Sequence, residues 1–196
     1  KPGRNNDFLR QIMTAGQVQS RFGGLICALV LLMDTASNTL IRTNLEFLRR
    51  HAPFDRMEAE ALRFLGERLV TAFYPAESEI LTPEDGPPRF LYIVYRGKVQ
   101  ARHVANVAVT EYSTLTLGPG EGFPIGAISA ERASTNRYVA LEDSYCLQLP
   151  AADFLRLQEI SPVFQIFCTR YIASLVSQSR EQLQAQFSQR AAEQQT

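Results

Sequence analysis

The sequence predicts a mainly β fold, a jelly roll or a small barrel, with helices on either side of it. Between residues 70 and 150, short apolar runs alternate with polar residues and are separated by frequent turn residues, a pattern typical of these two architectures. Before and after this region the apolar residues recur every three or four positions, which predicts helices. We therefore expect a partly helical N-terminal extension (1–39), a β-roll with its leading helices (40–155), and a C-terminal helix with its tail (156–196).

The composition argues against several classes of function. Lys plus Arg and Asp plus Glu both number 20, so the net charge is zero, which argues against broad electrostatic binding of nucleic acid. The three cysteines (Cys27, Cys146 and Cys168) and the two histidines (His51 and His103) have no metal-ligand spacing, so we expect no zinc site. Unpaired thiols of this kind favour a reducing, cytoplasmic setting. The sequence has no nucleophile–base motif, so we expect a protein that is not an enzyme.

The N-terminal extension contains a continuous apolar run from Leu25 to Met33. A helix needs about twenty such residues to span a bilayer, so we expect no membrane-spanning segment. A buried helix, or one packed on a partner, is favoured over a signal-peptide core because no small-residue cleavage site follows. We hypothesise that Met33 is the natural start of the protein and that the preceding residues are an upstream extension.

Two helices are predicted ahead of the β region. The first runs from Leu40 to Pro53, and the proline stops it because it has no amide donor. The second has Asp55 as its N-cap and runs to Leu69, with Glu58 three residues on forming a near capping box.

The strands follow from a two-residue period and from the turn residues between them. Phe90 to Tyr95 is almost entirely apolar, so we expect a central strand buried on both faces. Arg96-Gly97 predicts a hairpin turn into the next strand, with a positive φ at the glycine. The predicted strands are 70–74, 79–81, 90–95, 98–104, 106–110 (a turn and a short strand), 112–117, 138–141 and 144–149.

The segment from Gly118 to Ala140 separates the two halves of the β region. Its glycines and prolines interrupt regular strand, Ile125 to Ile128 predicts one short helical turn, and the polar run Glu131 to Arg137 follows. Free amides at a helix start, together with guanidinium and hydroxyl groups, suit an anion such as phosphate. The alternative is a glycine-rich surface loop inside a β fold.

Several motifs in this order resemble the cyclic-nucleotide-binding domain of regulatory proteins. They are Y-P-A-x-S-x-I-L, F-L-Y-I-V-x-R-G-K-V, L-x-P-G-E-G-F and A-L-E-D-S-x-C-L-x-L-P, and the resemblance extends from Leu45 to Phe167. It implies a double-stranded β-helix, or jelly-roll, barrel with a regulatory role in signal transduction. More narrowly, G-F-P-I-G-A-I and S-P-V-F-Q-I-F-C-T-R resemble one bacterial branch, in which the domain precedes a pair of CBS domains and a nucleotidyltransferase-like domain. This chain would then be the N-terminal sensor part, with the catalytic domain outside it.

The sequence departs from the nucleotide-binding members of that family at two positions. In those members a glutamate takes the ribose 2′-hydroxyl and an arginine pairs with the cyclic phosphate. Ile125 and Ser134 stand at these two positions here. A charge-assisted hydrogen bond contributes about 1.5–3 kcal/mol, so the loss of two weakens binding about a hundred- to ten-thousand-fold.

Other groups in the same segment are suited to form a ligand site. Arg132 or Arg137 is expected to replace the missing arginine. The amides of Gly126, Ala127 and Ile128 and the hydroxyls of Ser134 and Thr135 are expected to donate to an anion. The ligand would be a cyclic nucleotide (cAMP or cGMP) or another adenine nucleotide; the alternative is an assembly module of the same fold that binds no ligand. The candidate ligand-binding residues are Phe123, Ile125, Gly126, Ala127, Ile128, Arg132, Ser134, Thr135 and Arg137.

The C-terminal helix is predicted to begin after Ser161 as its N-cap. Phe164, Phe167 and Tyr171 open an apolar stripe that we expect to pack against the barrel. The part beyond Val176 is longer than a barrel of this size can cover, so we expect a homodimer through this helix. A DNA-binding regulator would need a helix-turn-helix after it, and only a glutamine-rich tail follows.

Overall fold

The computed structural model of the protein describes residues 39–103 and 114–193. The chain divides into two compact units, Lys1–Arg42 and Thr43–Thr196. Only residues 39–42 of the first unit are described, and they are helical. The apolar run at 25–33 and the short strand predicted at 106–110 lie outside the described residues.

The helices before the sheets are shorter than the sequence predicts. Helix α1 covers residues 39–48, a 3₁₀ turn covers Phe54–Arg56, and α2 covers Ala59–Gly66. The predicted bounds are therefore wrong: α1 ends before Pro53, whose ring does not fit a helix interior, and Asp55 lies inside the 3₁₀ turn. A Cβ at Gly66 would lie 2.9 Å from Leu45 Cδ2, so the last residue of α2 allows the two helices a close approach.

The predicted capping box at Asp55 and Glu58 is replaced by a long-range hydrogen bond. Glu58 is itself the N-cap of α2, and its side chain makes no capping bond to that helix. The carboxylate instead accepts a hydrogen bond of 2.6 Å from Ser161 Oγ. This bond lowers the pKa of Glu58 and ties the start of α2 to a residue 103 positions further along the chain.

The described residues contain eight strands. They are β1 (Val70–Tyr74), β2 (Glu79–Leu81), β3 (Phe90–Arg96), β4 (Val99–His103), β5 (Thr114–Leu117), β6 (Gly122–Phe123), β7 (Asn136–Ala140) and β8 (Ser144–Pro150), with helix α3 (Ile125–Ser129) between β6 and β7. They form two antiparallel sheets with the orders β1-β8-β3-β6 and β2-β7-β4-β5, which confirms the predicted jelly roll.

Strand β3 is the central buried strand that the sequence predicts. It pairs with β8 on one side and with β6 on the other. Leu91 and Ile93 join a core formed with the helices, whereas Tyr92 and Val94 join the core between the two sheets. Because both faces of β3 are buried, its sequence is apolar throughout rather than alternating.

The hairpin predicted at Arg96-Gly97 is instead a connection between the two sheets. Strand β3 pairs with β8 and strand β4 pairs with β7, so the strands on either side of this turn do not pair with each other. Sequence periodicity identifies strands but not their partners, and here both partners of β3 are distant in the chain. Gly97 has the predicted positive φ, +97°, and a Cβ there would lie only 2.3 Å from Ser144 Oγ.

Two helices cover the outer face of the first sheet: α4 (Ala151–Ile160) and α5 (Pro162–Glu193). Ser161 between them is fully buried, and its Oγ accepts a hydrogen bond from the Phe164 amide at 3.3 Å, so the predicted N-cap is confirmed. The apolar stripe that Phe164 opens packs in the core, as predicted. Within the described ranges, no single helix has the length and hydropathy of a membrane span; α4 and the first half of α5 reach that hydropathy only as a pair bent by 114°.

Candidate functional site

The segment between the two halves of the roll forms a tight turn, a two-residue strand and a short helix. Helix α3 begins at Ile125, as the sequence predicts. In the turn before β6, the Glu121 carboxylate accepts a hydrogen bond of 2.6 Å from the Gly118 amide. Gly120 has a φ of +88°, and a Cβ there would lie 2.3 Å from the His51 ring. The turn therefore needs glycine both for its backbone angle and for its contact with His51.

Three stacked rings fill the space between the two sheets beside this segment. Phe123 lies between Tyr92 and Tyr138, with ring centroids 5.2 Å and 4.4 Å away and interplanar angles of 13° and 19°. Phe123 is 1% exposed, and burial raises the pKa of each tyrosine to about 12. We call Tyr92, Phe123 and Tyr138 the aromatic column. Its phenols stay protonated at neutral pH, so it presents flat faces and hydroxyls but no charge.

The side chains of helix α3 pack into the core, and the helix does not present a row of free amide donors. Ile125 and Ile128 are each 3% exposed and belong to the core beneath the helices, and Ala127 is buried. The amides of Ala127 and Ile128 donate to the Pro124 carbonyl at 3.1 Å and 3.2 Å. Two of the three amides expected to donate to an anion are thus already bonded inside the helix.

In the polar run after α3, some side chains are hydrogen-bonded within the protein and others are exposed to solvent. Ser134 is 5% exposed, and its Oγ accepts a hydrogen bond of 3.0 Å from the Asn136 amide. Thr135 and Arg132 are exposed. Within the described part of the chain, the Arg132 guanidinium makes no hydrogen bond or ion pair. Arg132 and Thr135 are therefore the candidate side chains that face solvent.

Arg137 already has two carboxylate partners. Its guanidinium forms a short ion pair with Glu79 on β2 and a second, at 3.4 Å, with Glu84 in the loop after β2. These carboxylates raise the pKa of Arg137. A phosphate at this position would have to compete with both acidic side chains.

The loop that holds Glu84 forms one wall of a cavity that the sequence analysis did not predict. Residues Pro83–Asp85 form a 3₁₀ turn, and the Asp85 carboxylate accepts hydrogen bonds from the Thr82 amide at 2.7 Å and from the Thr82 hydroxyl at 3.0 Å. Beside this turn lies a cavity of about 270 Å³. No spacing in the sequence indicates it, because its walls come from two strands of different sheets and the loop between them. It is lined by Ile80, Leu81, Asp85, Pro87, Pro88, Arg89, Phe90 and Tyr92.

Residues 72–161 match the family model of the cyclic nucleotide-binding domain. Over these residues the chain is similar to that family. The two-sheet roll and the short helix between β6 and β7 agree with the resemblance drawn from the motifs. In the described residues, no group of three or more His, Cys, Asp or Glu side chains is placed to hold a metal ion.

Solved structures of regulatory proteins have the same fold. The Catabolite Activator Protein of Thermus thermophilus is 25% identical with a TM-score of 0.57, over 67% of this chain and 61% of that chain. The regulatory domain of Toxoplasma gondii PKA with cAMP is 17% identical with a TM-score of 0.62, over 70% and 51%. A regulatory subunit of a cAMP-independent protein kinase A from Trypanosoma cruzi, bound to guanosine, is 13% identical with a TM-score of 0.59, over 73% and 52%. The chain thus spans between half and two thirds of each of these proteins, and a comparison with curated proteins found no match.

The aromatic column predicts a large difference between two phenylalanines. Replacing Phe123 with Ala removes a buried ring with a neighbour on each face, so we expect the free energy of unfolding to fall by about 3–5 kcal/mol. The matched control is Phe73→Ala, because Phe73 contacts the Tyr145 ring at a tilt but is 49% exposed; we expect a loss below about 1 kcal/mol. Urea unfolding of both variants measures the difference, and equal losses would contradict the packing described for Phe123.

Proposed function

We propose that this chain is the regulatory, ligand-sensing domain of a larger signal-transduction protein, with a degenerate phosphate-binding cassette. The observation that carries the proposal is the environment of the two positions at which family members hold the nucleotide. Ile125 lies in the core, and Ser134 is buried with its hydroxyl bonded to the Asn136 amide. Neither position supplies a charge, so the two strongest contacts expected for a cyclic nucleotide are lost.

The effector is a nucleotide held by weaker contacts: cAMP, cGMP or another adenine nucleotide. Arg132 and Thr135 face solvent and are available as donors, whereas Arg137 must first leave Glu79 and Glu84. An ion pair in solvent contributes only about 0–1 kcal/mol, so these groups replace the lost contacts only in part. We expect binding about a hundred- to ten-thousand-fold weaker than by a complete cassette.

The larger protein is the one that the branch motifs imply, with CBS and nucleotidyltransferase-like domains after this one. This chain itself has a sensing role and no catalytic one, and α5 leads from the sensor towards those domains. Its equal numbers of acidic and basic residues support a small-molecule effector over nucleic acid or a membrane surface. Cys146 and Cys168 are free, and burial raises the pKa of each to about 12, which fits a protein of the reducing cytoplasm.

A second function, an assembly module without a ligand, is favoured by the aromatic column. The column fills the interior of the roll with side chains, so the fold is complete without a bound base. The surface for assembly is α5, whose 32 residues extend about 48 Å. Ile166 and Val176 on this helix are 51% and 64% exposed, and a second copy of the helix would bury them.

Calorimetric titration separates the two functions. The ligands are cAMP, cGMP, AMP, ATP and guanosine, and the variants are Arg132→Gln and Arg96→Gln. We expect weak binding of at least one nucleotide, with Arg132→Gln weakening it by up to about fivefold, the effect of losing one contact made in solvent. Arg96 is exposed at the end of β3, so Arg96→Gln controls for the loss of charge alone.

Two outcomes of that titration would overturn the sensor proposal as stated. If none of the five ligands produces heat on titration or a thermal shift, the assembly module remains as the function. Submicromolar binding of cAMP would show that the cassette is not degenerate.

The proposed dimer has a matched pair of test variants on α5. Val176→Glu places a charge in the proposed interface, so we expect the molar mass measured by light scattering to fall from dimer to monomer at micromolar concentration. Ser177→Glu adds the same charge at the next exposed position, on a different part of the helix surface, and should leave the dimer intact. A monomeric wild-type chain would contradict the interface.

A further inference from the structure

The cavity beside the Pro83–Asp85 turn is separate from the cassette. None of its lining residues belongs to the segment from 118 to 140. Its volume of about 270 Å³ lies just below the range of about 300–1,000 Å³ for drug-sized ligands. The cavity therefore suits a molecule smaller than a nucleotide.

Apolar residues form part of the lining of this cavity. Leu81, Pro88 and Tyr92 are buried, and Ile80 and Phe90 are partly buried. The Phe90 and Tyr92 rings meet edge to face, with centroids 6.3 Å apart. Such walls bind an aliphatic or aromatic group by removing it from water.

Two opposite charges line the same cavity without neutralising each other. The Asp85 carboxylate is held in place by the Thr82 amide and hydroxyl, and these bonds lower the pKa of Asp85. The Arg89 guanidinium makes no hydrogen bond or ion pair within the described residues, so it does not pair with Asp85. Both residues are exposed, and a ligand that carries both charges can contact both of them.

We propose that this cavity binds a free amino acid with an apolar side chain, such as leucine or phenylalanine. The α-carboxylate pairs with Arg89, the α-ammonium pairs with Asp85, and the side chain packs against Leu81 and Phe90. A zwitterion with an apolar side chain matches the cavity in size, in its mixed polar and apolar lining and in both charges. This site is independent of the nucleotide site proposed above.

The turn that forms the site also contacts the cassette segment. Asp85 and Glu84 are neighbours in the 3₁₀ turn, and Glu84 pairs with Arg137 on β7. The cavity and the cassette segment therefore both adjoin this turn but share no lining residue.

The test is a calorimetric and NMR titration of the full chain with four ligands: L-phenylalanine, L-phenylalanine amide, N-acetyl-L-phenylalanine and L-serine. The amide lacks the carboxylate, the acetyl derivative lacks the ammonium, and serine lacks the apolar side chain. We expect L-phenylalanine to bind and each of the other three to bind more weakly, the amide and the acetyl derivative by up to about fivefold because Asp85 and Arg89 are exposed. Equal binding of the amide or the acetyl derivative would overturn the zwitterion assignment, and no binding of L-phenylalanine up to millimolar concentration would overturn the site.

Variants locate the binding and separate it from the nucleotide site. Arg89→Gln should abolish the preference for L-phenylalanine over its amide, while Arg96→Gln and Arg132→Gln should preserve it. Nucleotide binding should in turn respond to Arg132→Gln and persist in Arg89→Gln. If Arg89→Gln and Arg96→Gln bind L-phenylalanine identically, the proposed contact with Arg89 is wrong, whatever the outcome of the nucleotide titration.

Discussion

The packing of one phenylalanine between two tyrosines determines how the two sheets meet and what space is left between them. Phe123 on β6 and Tyr92 on β3 belong to the first sheet, whereas Tyr138 on β7 belongs to the second. The aromatic column therefore crosses the interior and holds the two sheets together through contacts between ring faces. Because Phe123 leads directly into α3, the position of that helix, and of Ile125 in the core, depends on the same ring.

The charges around the column follow from this packing. With α3 held against the core, the amides of Ala127 and Ile128 remain inside the helix, and the polar groups that follow lie at the edge of the roll. At that edge Arg137 forms ion pairs with Glu79 and Glu84, whereas Arg132 is exposed to solvent. In the cassette that we propose, a ligand would contact exposed groups, whose ion pairs are screened by water.

Much of the fold could be predicted from the sequence, and the site only in part. The apolar run of β3 and the glycines between the strands predicted the strands and α3, because these sequence signals are local. The partner of β3 and the bond between Glu58 and Ser161 could not be found, because they join residues far apart in the chain. The motifs predict where the cassette lies, but the surroundings of that segment depend on side chains from other strands: Glu79 reaches Arg137, and no local pattern carries that information.

The most direct measurement is the aromatic NMR spectrum of Phe123, assigned by comparison with Phe123→Leu, before and after addition of cAMP. Stacking between Tyr92 and Tyr138 predicts ring protons shifted upfield by the ring currents of both tyrosines, and little change at the highest cAMP concentration. Ring protons at the shifts of a solvent-exposed phenylalanine, or a large change on addition of cAMP, would show that the column is not closed. The account of a filled roll with a degenerate cassette would then be contradicted.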